Sequence, residues 1–87
     1  MSNIKGGLEW DLTQKKEELE LAKSDVKDVK EYLKRLKNLQ KTDLNHWAQI
    51  DYQRMLPERE KDVKIYLKKV NIIEKEILEI EEKLSKL

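Results

Sequence analysis

Apolar residues recur at alternating steps of four and three from Leu8 almost to the middle of the chain. Leu8, Leu12, Leu19, Ala22, Val26, Val29, Leu33 and Leu36 share one such row, with Lys15 and Gln40 as its polar members. At about 3.6 residues per turn a helix brings the whole row onto one stripe. A strand needs alternation of period two, and none survives here for more than a few residues. A second row runs through Val63, Tyr66, Val70, Ile73, Ile77, Ile80, Leu84 and Leu87. Two helices with one apolar stripe each are marginal alone and satisfy one another by packing seam to seam. The rows predict an all-α fold: an antiparallel helical hairpin of coiled-coil type, assembled further into a helical bundle.

The place of the turn is a separate question. Pro57 is the one proline, and no glycine follows Gly7. Proline disfavours a helical conformation at the residue before it and suits the first position of a new helix. Glu58 and Glu60 follow, where carboxylates complement a helix N-terminus. These features predict a turn at Leu56-Pro57, after one long helix from about Leu8 to Met55. The weak helix formers Asn38, Thr42, Asp43, Asn45 and His46 mark a kink near Thr42. A break there, giving a three-helix bundle, is the alternative.

Charge supports the proline turn. It sets Leu33 against Ile80, Leu36 against Ile77 and Trp47 against Tyr66. Lys30, Lys34, Arg35 and Lys37 then run beside Glu74, Glu76, Glu79, Glu81 and Glu82, and charges flanking a seam set register. A turn near Gln49 also aligns the seams, but brings lysines beside lysines. In the favoured register the N-terminal seam overhangs the end of the second helix. Leu8, Leu12, Leu19 and Ala22 are therefore expected to bind a partner, with Trp10 beside them as an anchor. Interface anchors are enriched in tryptophan.

Residues 1–7 read as a flexible lead, because Gly6-Gly7 is costly inside a helix, and residues 8–87 as one domain. Asp11 or Thr13 is the expected cap of the first helix. Nineteen basic residues against eighteen acidic ones leave a net charge of only +1. No strong overall field therefore draws the chain to nucleic acid or anionic membrane. The apolar runs are too short to span a bilayer, and Met1 to Gly7 lacks the apolar core of a signal peptide. A soluble, cytoplasmic protein is expected.

No stretch carries catalytic chemistry. His46 has no second histidine and no cysteine with which to form a metal set, and there are no cysteines at all. Serine occurs only at Ser2, Ser24 and Ser85, outside any nucleophile or phosphate-loop motif. No enzyme activity, cofactor or metal is expected. The chain reads as a protein–protein interaction module: a homodimer, or a helical partner of a larger protein. The alternatives are nucleic-acid association through the lysine stretches and a small secreted helical hairpin. In length and in its central Trp47 the hairpin resembles the secreted WXG class. Trp47 is followed by Ala48-Gln49 instead of the Trp-x-Gly turn, and Tyr66 leads into Leu67-Lys68-Lys69-Val70 without the acidic residue of that class's export signal. The resemblance is of shape and length.

Overall fold

The structure, a computed structural model, describes residues 4–87. It consists of two α-helices, α1 (Ile4–Thr42) and α2 (His46–Ser85), joined by Asp43, Leu44 and Asn45. The helices have 39 and 40 residues and run antiparallel along a rod of 69 × 14 × 14 Å. The all-α hairpin read from the seams is the fold. Its turn is not at Leu56-Pro57 but at Asp43–Asn45, where a kink or third helix was the expectation.

Local chemistry explains the turn. The Asn45 side chain accepts hydrogen bonds from the backbone N–H groups of Trp47 and Ala48 at 2.9 and 3.2 Å, which caps α2. The Asn45 N–H donates to the Asp43 carboxylate at 2.9 Å, a local bond that competes with helix continuation. Thr42 Oγ1 donates to the Asn38 carbonyl at 3.0 Å in the last turn of α1. Across the turn, Gln49 Nε2 donates to the carbonyls of Gln40 and Asp43 at 2.7 and 2.5 Å. Tyr52 Oη donates to Asp43 Oδ2 at 3.1 Å. Loose carbonyls at the end of one helix are thus satisfied by the first turns of the next.

Pro57 instead lies inside α2, which continues unbroken through it. Its ring removes the bond to the Gln53 carbonyl, but Gln53 and Pro57 are both exposed, so water reaches the site. The loss is tolerable on a helix held by more than twenty residues on its far side. At the other end, Gly6 and Gly7 are helical, and Asp11 and Thr13 lie inside α1 instead of capping it. Thr13 Oγ1 donates to the Glu9 carbonyl one turn earlier, at 3.1 Å. Of the expected lead, residues 1–3 lie outside the described residues.

The core follows both seams. Ala22, Val26, Val70, Ile73 and Ile77 form one buried cluster, with Leu12, Leu19 and Tyr66 packed against it. Leu36 is buried nearer the turn. The seam of α1 is half-buried or buried at Leu8 and at every member from Leu12 to Gln40. On α2 the seam runs on toward the turn through Arg59, Leu56 and Tyr52, while Leu87 lies past the helix and is exposed. Trp47 does not face Tyr66: it is exposed at the start of α2 and meets the His46 ring edge-on at 5.7 Å.

The pairing therefore differs from the expected one by whole seven-residue repeats, and the reason is physical. Heptad seams match equally well after each slip of seven, so apolar pattern alone leaves register open. Exposed charge pairs contribute under about 1 kcal/mol each. A capped, hydrogen-bonded turn outweighs them. Two ion pairs cross between the helices among the described residues, Lys15–Glu76 at 2.6 Å and Lys37–Glu60 at 3.7 Å.

Candidate interaction surface

With the seams consumed inside the chain, the surface available to a partner lies on the hairpin's two flanks. The ion pair Lys37–Glu60 marks one of them. Stepping by heptads along α1 from Lys37 gives Lys30, Lys23 and Lys16 on the same flank. Lys41, Lys34 and Lys27 lie one position further round, on an exposed row. Stepping along α2 from Glu60 gives Leu67, Glu74 and Glu81, with Leu78 beside them. This is the lysine flank.

A shallow groove of about 430 Å³ marks the other, lined by Lys15, Glu18, Ile65, Lys68, Lys69, Ile72, Ile73 and Glu76. Heptad steps from Glu18 give Asp11, Asp25, Tyr32 and Leu39, and Leu21 and Asp28 lie one position further round. Tyr32, Leu39, Ile65 and Ile72 are exposed on this flank, and Leu21 is exposed at its outer edge, where it shares a surface pocket with Thr13, Lys16, Glu17 and Glu20. Leu21 is 69 % and Ile72 57 % exposed, well beyond what a seam margin leaves open. Carboxylates (Glu18, Asp25 and Asp28) rim them along α1, and Glu76 with Lys68 and Lys69 along α2. Lys15 sits at the floor between Glu18 and Glu76, at 3.1 and 2.6 Å, and its hydrogen bonds to Glu76 and then Glu18 raise its pKa above the usual lysine value. We call this the acidic apolar flank.

Sequence periodicity separates these flanks, because acids and bases interleaved along α1 diverge by about 100° per residue. Asp25 and Asp28 look as if they neutralise Lys23, Lys27 and Lys30 in the sequence. On the helix they face the other way. The flank signal was present in the spacing and is independent of register, because a slip of whole heptads leaves each residue on the same side of its seam.

The five residues expected to bind a partner fall unevenly. Ala22, 2 % exposed, is in the intrachain core, and Leu12 and Leu19 pack against it. Leu8 is half-buried on the same seam. α2 covers the stretch that was expected to overhang. Trp10 is exposed on the outer side of α1, and Leu21 and Tyr32 follow it at steps of eleven, close to three full turns each.

No group of three or more His, Cys, Asp or Glu side chains among the described residues is arranged to hold a metal ion. No helix among them is long and apolar enough to cross a membrane. No family model matches the chain, and no curated protein or solved structure matches it either.

Proposed function

We propose that the protein is a non-enzymatic, cytoplasmic interaction module that binds protein through the acidic apolar flank of its hairpin. The observation that carries this reading is the groove on that flank, in which Ile65 and Ile72 stand 62 % and 57 % exposed. Contiguous exposed apolar surface rimmed by polar groups is characteristic of protein-binding sites. The hairpin does not need these side chains for its own core, since both seams are filled without them. A helix or helical hairpin is the natural occupant, because apolar side chains seven apart, Tyr32 and Leu39 on α1 and Ile65 and Ile72 on α2, stand two turns apart along each helix as the anchors of another helix do. Homodimerisation and binding to a helical segment of a larger protein both fit that geometry.

Photo-crosslinking tests the reading whatever the occupant. A benzoylphenylalanine placed at Ile72 is expected to yield a covalent protein adduct in the native host. The same group at Glu82, exposed and further along α2, is expected to yield little. Equal labelling at the two positions, or none at Ile72, overturns it. The mass of the adduct separates a second copy from a different protein.

A further inference from the structure

The acidic apolar flank carries a pattern that closes on itself, and from it we infer that two copies pair through that flank about a two-fold axis along the rods. The rods lie parallel with their turns at the same end. Helix α1 of each copy lies on α2 of the other, which completes a four-helix bundle. The inference rests on the protein-binding reading above and names the occupant of the flank as a second copy.

Heights along the rod follow from contacts between the helices: Gln49 reaches Asp43 at the turn, and Lys15 meets Glu76 toward the far end. Counting between these anchors sets Leu21 level with Ile72, Asp25 with Lys69, Arg35 with Glu58 and Leu39 with Met55. The match holds to within two residues, about 3 Å of rise. All of these positions lie on the one flank by heptad steps: Arg35 lies two repeats from Leu21, Glu58 two from Ile72, and Met55 two from Lys69. An axis along the rod brings each α1 residue onto the level α2 residue of the other copy, so every pair is made twice. Apolar meets apolar at Leu21–Ile72 and Leu39–Met55, and opposite charges meet at Asp25–Lys69 and Arg35–Glu58. Asp28 falls opposite Ile65, from where it reaches Lys68 one turn along, while the Tyr32 ring covers Ile65 from the other side. Like charges meet at one level, Glu18 on Glu76. There Lys15 already stands between the two carboxylates within each copy, at 3.1 and 2.6 Å.

Other pairings of two copies fail on the same residues. An axis across the rod sets α1 on α1 and α2 on α2. Asp25, Asp28, Lys68 and Lys69 stand near mid-rod, so each then faces its own kind, and like charges across an interface suppress it. Stacking unlike flanks side by side sets Leu21, Tyr32 and Leu39 against the lysine rows of α1. The lysine flank paired with itself about an axis along the rod leaves its exposed apolar side chains, Leu67 and Leu78, near Lys27 and Lys16. The acidic apolar flank on itself satisfies apolar and charged positions together. An interface of this isologous kind uses itself up, so assembly stops at two copies.

The test uses the full chain. By sedimentation equilibrium the wild type is expected to reach twice its monomer mass of 10.5 kDa and stop there. Asp25→Lys with Asp28→Lys, and separately Lys68→Asp with Lys69→Asp, set like charges against each other in each homodimer. All four positions are exposed, and far-UV circular dichroism checks that both variants remain hairpins. Each alone is expected to dimerise about tenfold more weakly than wild type, or worse. Mixed in equal amounts they are expected to recover the dimer, because each copy then supplies the charge the other lacks. Orientation is read separately, since the chain has no cysteine of its own. A Leu39→Cys copy mixed with a Met55→Cys copy is expected to give the mixed disulfide in excess of either symmetric one. Antiparallel rods hold these two residues toward opposite ends of a 69 Å rod and give no such link. A wild type that stays monomeric at every concentration overturns the inference. So do charge variants that dimerise as the wild type does or fail to recover on mixing, and so does absence of the mixed disulfide. With a monomeric wild type, photo-adducts to a different protein at position 72 leave the protein-binding reading standing; their absence removes both.

Discussion

The Gln49 side-chain amide donates to the Gln40 backbone carbonyl at 2.7 Å, tying the first turn of α2 to the last turn of α1. The same amide reaches the Asp43 carbonyl, and Asn45 caps α2 beside it. Heptad seams tolerate slips of seven residues, so these short bonds, and not the long seams, determine which residues face each other.

Removing the lock is expected to cost stability in proportion to the bonds lost. Asn45→Ala deletes the acceptor for two backbone N–H groups and should destabilise by about 1 kcal/mol. Gln49→Ala should cost a similar amount by leaving two carbonyls with water as their only remaining partner, about 1 kcal/mol. Urea unfolding monitored by circular dichroism measures both. If neither variant shifts the midpoint, the turn is not held in this way.

Most of the fold was legible in spacing. Every seam member named on α1 from Leu8 to Gln40 is at least half-buried, because a period of about 3.6 is a property of the helix itself. The turn was not legible, because two signals competed. Pro57 is the stronger breaker by propensity, but it stands at an exposed position, where losing one backbone bond is tolerable. Asp43–Asn45 looks weak residue by residue and is strong only as a set, through bonds that Gln49 and Tyr52 make from the other helix. Charge then misled for a related reason: Lys37 meets Glu60 in the true register, so opposite signs are matched there too. The flanks were legible in the same heptads, since a slip of seven residues moves partners along the rod without moving a side chain from one flank to the other.

Register has a direct test in a chain without cysteines. Ala22 and Val70 belong to one buried cluster, so Ala22→Cys with Val70→Cys should form an intramolecular disulfide under mild oxidation. Leu33→Cys with Ile80→Cys should not, because those positions pair only if the chain turns at Pro57. Non-reducing electrophoresis after proteolysis in the turn distinguishes them. Efficient cross-linking of the second pair contradicts the observed pairing.

Alkaline pH should loosen the turn. Partial burial, and then the hydrogen bond to Asp43, raise the Tyr52 pKa above the usual tyrosine value of 10.0. The neutral phenol is the form that donates to the Asp43 carboxylate. A raised folded-state pKa means that its contribution is complete below about pH 10 and is lost as pH climbs through the folded value. Melting midpoints should therefore be level with respect to this group from pH 7 to 9 and fall above pH 10. Tyr52→Phe should start lower, and its midpoint should fall less steeply over the same alkaline interval. Parallel curves for the two proteins would remove the Tyr52–Asp43 bond from the account.

A charge placed on the seam should be far more damaging than one removed from the surface. Ile77 is 7 % exposed within the buried cluster, so Ile77→Asp strands a carboxylate among Ala22, Val70 and Ile73. The expected loss is about 3–5 kcal/mol, comparable to the whole stability of so small a domain. Glu82→Gln, on an exposed position, should stay within about 0.5 kcal/mol of wild type. Similar melting midpoints for the two would show that the cluster is not a core.

Pro57→Ala separates the two turn positions by the sign of its effect. Were Pro57 the first residue of a helix after a turn, its fixed φ and missing N–H would suit the site, and alanine would be neutral or destabilising. Inside α2 the same ring removes a bond to the Gln53 carbonyl and crowds the preceding turn. Alanine restores both, and the intrinsic helix preference of alanine over proline is about 3 kcal/mol at an interior position. Exposure of Gln53 to water offsets part of that, so an increase of about 1–3 kcal/mol in unfolding free energy is expected. The variant should also gain protection from hydrogen exchange around residues 53–61, where the continuous helix lacks one backbone hydrogen bond. A lower midpoint for Pro57→Ala would place the turn at the proline and move every cross-helix pairing with it.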